Sequence, residues 1–322
     1  MDNERPPGPD RPDAGDHWCL SRGLGLITAH ELARAGARVV LAVRDTDKAR
    51  RAVADLPGTF DIRPLDVSDL TSVRAFADSW SGDIDVLINN AGVMDIPAAR
   101  TADGLDLQTT TNYTGPFLLT TLLIKHITDR VVHVTSELHK QGKIDLDDLD
   151  WRTRKHNGMR AYEASKLAVV LFSLELQRRL AAAGSPVRSV LASPGIARTT
   201  LAAHSRSNVI NRFTFLTNAP ERGALSLLYA ATQDVPGNSY VGPDGLGGFR
   251  GSPAVRRRGQ ASTRPWPVGC GTRPPTSSGR SPDELPGELP GGRRPRRDLR
   301  IARLPGTDRR PRRDPDELRR GR

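Results

Sequence analysis

Short, apolar, β-branched runs alternate with amphipathic segments along this chain, and that alternation is what most narrows the folds open to it. ARVVLAV (37–43), FDIRPLDV (60–67), IDVLINN (84–90), RVVHVTS (130–136) and PVRSVLASP (186–194) are bounded by turn-forming residues and have short β-branched cores. Runs of this kind suit strands buried on both faces. Between them lie segments predicted as helices. LITAHELARAG (26–36) closes on Gly36, and SDLTSVRAFADSW (68–80) opens on Ser68 as its N-cap; others fall near 104–126, 161–183 and 219–232. Strands that alternate with helices in this way predict an α/β fold, a doubly wound parallel sheet covered by helices, in a single domain.

Charge divides the chain into regions. Residues 251–322 carry 19 Arg, no Lys and 8 acidic residues, so the whole formal excess of +11 falls there; the other 250 residues balance 29 basic against 29 acidic groups. The domain reading is a disordered polar leader over 1–16, a folded body over 17–255, and a disordered Arg/Pro-rich tail over 256–322. A basic tail invites a nucleic-acid-binding reading, but it lacks Lys and interleaved aromatics and mixes in its eight acids, which argues against one. No run of about 18 apolar residues predicts a membrane span. The two cysteines, Cys19 and Cys270, fit a reducing compartment better than a disulfide framework. A cytoplasmic protein without nucleic-acid or membrane partners is the expectation, and homo-oligomerisation is left open.

In a doubly wound sheet, ligands bind beyond the carboxyl ends of the strands. The distinctive residues fall there. Asn89, Asn90, Ala91 and Gly92 follow one strand; Ser136 ends another; Pro194 and Gly195 end a third, with Thr199 just after. Tyr162 and Lys166 are spaced i, i+4 and so share one helix face. Singly, each is a common feature of turns and helix surfaces. In this order, at these strand ends, they form a constellation.

That constellation resembles the short-chain dehydrogenase/reductase family. It does so through NNAG at 89–92, Asn112 in TNYTGPF, Ser136, YEASK at 162–166 and PGIART at 194–199, and the resemblance covers roughly 23–255. The 26 residues from Ser136 to Tyr162, filled by KIDLDDLDW (143–151), are similar to the retinol-dehydrogenase-like branch. The resemblance implies a Rossmann fold and alcohol–carbonyl interconversion by hydride transfer. It implies Tyr162 as acid/base, Ser136 on the substrate oxygen, and Lys166 both on the nicotinamide ribose and lowering the Tyr162 pKa. Asn112 would hold a water linking Lys166 to solvent. A small-molecule alcohol or carbonyl would be the substrate. Cofactor contacts are expected from Gly23, Gly25, Arg44, Asp66, Val67, Asn90, Ala91, Gly92, Tyr162, Lys166, Pro194, Gly195 and Thr199. Arg44 lies 19 positions after Gly25 where an acidic residue would favour NAD; a cation there suits the 2′-phosphate of NADP, with NAD the other option and Asp45 next to it.

Two departures stand out. Pro116 replaces a residue that could donate a backbone hydrogen bond, which predicts a kink in the helix around it. At 17–25, HWCLSRGLG keeps only the last Gly-x-Gly of the family's phosphate loop, so the first strand is read as degraded or missing. Codons for Val-Val-Leu-Val-Thr-Gly read one base late can give Trp-Cys-Leu-Ser-Arg, so residues 18–22 are read as a reading-frame scar, and the tail permits a similar reading. The alternative to an active enzyme is therefore a catalytically impaired relative without cofactor binding.

Overall fold

The computed structural model describes residues 23–195, 219–245, 248 and 251–256. The leader, nearly all of the tail, and Thr199 lie outside the described residues.

The chain enters the described fold at Gly23, the N-cap of α1 (Leu24–Arg34). Gly36 ends this helix as expected, at φ +93°. Its N–H donates to Ala33 O and the Ala37 N–H to Leu32 O, a pair of bonds that only a left-handed residue permits comfortably. Next come β1 (Arg38–Val43), α2 (Thr46–Val53), β2 (Thr59–Pro64), α3 (Leu70–Asp78) and β3 (Ile84–Asn89). Then follow α4 (Gly115–Leu123), β4 (Ile127–Val134), α5 (Gly158–Ala182), β5 (Arg188–Ala192), α6 (Pro220–Thr232), β6 (Tyr240–Pro243) and β7 (Pro253–Arg256). The sheet is parallel apart from β7, which runs antiparallel to β6. The domain is the α/β type the alternation predicts.

Three local readings change. Ser68 is not the cap of α3. Asp69 is, accepting from the Thr71 and Ser72 N–H groups, while Ser68 donates to Asp66. The carboxylate one residue later fits the helix start, so the hydroxyl is used in the preceding turn. The helix expected over 104–126 is broken into a short turn at Leu107–Thr109, a π turn at Thr110–Thr114, and α4. Pro116 has no N–H for the carbonyl at 112, so the backbone widens just before it and α4 starts afresh with proline in its first turn. β7 reaches Arg256, one residue past the expected end of the body.

Helices α1 and α6 pack together on one face of the sheet, and α3 and α4 on the other. Among the described residues the sheet is in two pieces, β1–β2 and β3–β4–β5–β6–β7. The core of the larger piece is dry: Val131, Val132, Val190 and Leu191 are fully buried. His133 is buried with them. Its Nδ1 lies 3.2 Å from Asn89 Nδ2, which also donates to Thr120 Oγ1, and its Nε2 has no partner. Burial pushes its pKa down to about 3.

Candidate active site

Four predicted residues meet at the carboxyl ends of β3, β4 and β5. Ser136 follows β4 and caps a short 3-10 turn, Glu137–Gln141, by accepting from the Leu138 N–H. Tyr162 and Lys166 lie on α5, whose side chain at N-cap Asn157 accepts from the Arg160 N–H. Ser136 lies near enough to the Tyr162 hydroxyl to pull the phenol's pKa down. Both Tyr162 and Lys166 are almost wholly buried.

Lys166 donates from Nζ to Val134 O at 3.0 Å, and Nζ stands 5.8 Å from the centre of the Tyr162 ring. Burial pushes the Tyr162 phenol up to about 12, against which Ser136 pulls it down. The lowered pKa expected from Lys166 is therefore not what this site shows. Loss of water around the phenol outweighs the neighbouring groups, and the neutral phenol is the form held at neutral pH.

Asn112 sits in the π turn. Its Oδ1 accepts from the Val93 N–H at 2.6 Å, and its Nδ2 donates to Val93 O and to Ser165 Oγ. The side chain thus fastens the loop after β3 to α5. Ser165 in turn donates to Tyr162 O. Gly92 completes this corner: a Cβ there would stand 3.2 Å from Lys166 Nζ and 3.3 Å from Asn112 Oδ1. A side chain at Gly92 would crowd Lys166 and Asn112, and its absence suits the close approach of the nicotinamide–ribose end of a dinucleotide. Asn90 and Ala91 lie in the same loop, half-buried.

The other predicted contacts are spread along the same rim. Gly23 and Gly25 lie at the start of α1, which has no side-chain cap. Arg44 is exposed at the end of β1. Asp45 caps α2, accepting from the Lys48 N–H at 2.8 Å. The acidic neighbour of Arg44 is therefore spent on the helix. Asp66 accepts from both the N–H and the hydroxyl of Ser68. Val67 lies under α4, where a Cβ on Gly115 would come within 1.8 Å of Val67 O. Pro194 and Gly195 follow β5, with Gly195 at φ +69°.

Sequence reasoning missed the residues that hold the Ser136 turn. Glu137 is buried, and its carboxylate accepts from Tyr240 Oη at 2.8 Å and Arg256 Nη1 at 2.6 Å, with Lys140 Nζ at 2.5 Å. Nothing adjacent in sequence marks it, because two of its partners lie 103 and 119 residues away. On the other side, a Cβ on Gly142 would strike Glu163 O, so the turn lies flush on α5 beside Tyr162. Replacing Glu137 with alanine strands Arg256 and the Tyr240 hydroxyl, and should cost about 3 kcal/mol, the low end for breaking a buried pair. Thermal unfolding of the variant measures this; Glu137→Gln, which keeps an acceptor, should cost less.

No group of three or more potential metal ligands and no helix fit to cross a membrane occurs among the described residues.

A family model described as short chain dehydrogenase matches residues 19–209. Human retinol dehydrogenase 13 is 39% identical over 244 residues, which cover 68% of this chain and 73% of that protein. Mouse polyprenol dehydrogenase is 38% identical over 229 residues, covering 65% and 68%. Among solved structures, an uncharacterized protein from Mycobacterium Paratuberculosis matches with 48% identity and a TM-score of 0.65, over 74% of this chain and 83% of that one. An actinorhodin polyketide ketoreductase with NADPH matches with 25% identity and a TM-score of 0.51, over 66% and 87%.

Proposed function

From the premise that this chain belongs to the short-chain dehydrogenase family, we propose that it interconverts an alcohol and a carbonyl using NADP, with Tyr162 as the proton carrier. The observation that carries the reading is the cluster of half-buried Ser136 with buried Tyr162 and Lys166 beside Gly92, at the strand ends where a doubly wound sheet binds ligands. When bound, the nicotinamide supplies or accepts the hydride.

The chain's own residues do the rest. Ser136 orients the substrate oxygen and steadies the charge developing on it. Tyr162, a phenol at neutral pH, donates its proton to that oxygen in reduction and takes one back in oxidation. Lys166 holds the cofactor's ribose one helical turn from Tyr162. Asn112 locks the loop carrying Gly92 onto α5. Names among the relatives, retinol and polyprenol dehydrogenases, support a lipophilic alcohol or aldehyde as substrate.

The NADP preference rests on Arg44, whose acidic neighbour is committed to capping α2. A guanidinium–phosphate hydrogen bond is worth about 1.5–3 kcal/mol. Arg44→Asp should therefore weaken NADPH binding by roughly ten- to a hundredfold while affecting NADH far less. Titration by nicotinamide fluorescence reads this; equal losses for both cofactors would remove Arg44 from the 2′-phosphate site.

The shortened glycine loop, in which only the last Gly-x-Gly at Gly23–Gly25 remains, favours a second reading, a relative that keeps the catalytic corner but not cofactor binding. Thermal shift separates the two. A ligand at a hundred times its Kd adds about 2.7 kcal/mol to stability. NADPH should raise the unfolding temperature of the active form and leave that of the impaired one unmoved.

A further inference from the structure

Two loops close on the catalytic corner from neighbouring strands. One follows β4 and carries Ser136; the other follows β5 and carries Pro194 and Gly195. The bonds that Ser136 makes with its backbone partners stay within its own turn: its Oγ accepts from the Leu138 N–H at 3.3 Å and its carbonyl from the His139 N–H at 3.0 Å. Its sequence neighbours tie it to the body of the fold. On one side, Thr135 donates from its N–H to Ala192 O and from its hydroxyl to Lys166 O. On the other side, buried Glu137 accepts from Tyr240 Oη at 2.8 Å.

Tyr240 and Arg256 are register partners across β6 and β7, so their side chains leave the sheet on one face and converge on Glu137 Oε1. The Tyr240 ring packs with Val169 and Val170 of α5 and Leu191 of β5, which fixes the direction of its hydroxyl. The second loop comes to the same place. Ser193 donates its N–H to Val241 O at 2.8 Å, and its Oγ accepts from the Gly195 N–H at 3.4 Å. A Cβ on Gly242 would stand 3.4 Å from the Tyr240 ring and 3.6 Å from Ser193 Cβ, so the two side chains border one small gap. Burial pushes the Tyr240 phenol up, and Ser193 lies near enough to its hydroxyl to pull it part of the way down. A hydroxyl has one proton and two lone pairs, so a proton given to Glu137 leaves the oxygen able to accept from Ser193. We propose that Tyr240 is a positioning residue that fixes the spacing of the two loops, setting Ser136 through Glu137 and setting Pro194 and Gly195 through Ser193. It touches neither reactant. Its work is to hold the substrate oxygen and the nicotinamide at one separation, where small misplacements are costly.

The proposal rests on the catalytic reading, and Tyr240→Phe tests the two separately. The variant keeps the ring, and Arg256 and Lys140 still pair Glu137, so it should fold. Amide hydrogen exchange in the full-length chain needs neither cofactor nor turnover. Exchange at His139 and at Gly195 should quicken by roughly tenfold or more, while Val132 and Val190 in the strand interiors keep the wild-type rate. Unchanged exchange at either loop overturns the proposal. So does quickening spread equally over the strand interiors, which marks a purely structural tyrosine. With NADPH and a carbonyl that the wild type reduces, the variant should lose about tenfold in kcat with KM little changed. In a Ser136→Ala background the same substitution should cost less, roughly threefold, because one of the groups it positions is gone. An undiminished loss in that background counts against the proposal. A wild type that reduces no carbonyl removes the catalytic reading, and the exchange rates still decide whether Tyr240 spaces the loops.

Discussion

Tyr162→Phe should lower carbonyl reduction by roughly 10²–10⁴-fold while leaving NADPH affinity and unfolding temperature nearly unchanged. The ring is buried and stays so in the variant; only the hydroxyl that carries the proton is removed. Steady-state kinetics should show the loss in kcat, because the proton moves in the transition state and not on binding. The raised pKa adds a directional signature. With the phenol held neutral up to about 12, reduction needs no prior ionisation, whereas oxidation should speed up as pH rises through the alkaline range. A variant that loses affinity for NADPH in proportion to its rate would instead make Tyr162 a binding residue.

The second large effect is on stability in acid. His133 has a folded pKa of about 3 against about 6.5 when unfolded, because burial disfavours its charged form. Between those values the unfolded chain binds a proton that the folded chain does not. The contribution of neutral His133 is thus complete above pH 6.5 and is lost as pH falls toward 3, at about 1.4 kcal/mol per pH unit. Asn89 Nδ2 donates to Nδ1, which puts the ring proton on Nε2, where it has no acceptor. Denaturant unfolding at a series of pH values should show this slope in the wild type. His133→Asn, which has nothing to protonate, should flatten it by one proton's worth. An unchanged slope in the variant would assign acid lability to the carboxylates.

The fold was legible where the physics is local. Each β-branched run became a strand, and Gly36 ended its helix, because both signals lie within a few residues. Short or sparse elements escaped: α2 buries only Ala49 and Val53, and β6 is the four-residue YVGP. The catalytic corner was legible because Tyr162 and Lys166 share a helix face and Ser136 ends a strand. Its energetics were not. The direction of the Tyr162 shift depends on how much water the fold removes, which no spacing reveals. The clamp through Glu137, Tyr240 and Arg256 joins distant parts of the chain, and Asn112 found its partners across a loop and a helix.

The central claim is that the Ser136–Tyr162–Lys166 corner carries out hydride-coupled proton transfer in this chain. Its most direct test follows NADPH absorbance while the purified full-length protein is offered a panel of lipophilic aldehydes and ketones, with Tyr162→Phe in parallel. The account predicts oxidation of NADPH that depends on both substrate and wild-type protein and is absent from the variant. Oxidation at equal rates in the two proteins would contradict it, as would NADPH that binds to the wild type and is never consumed with any member of the panel.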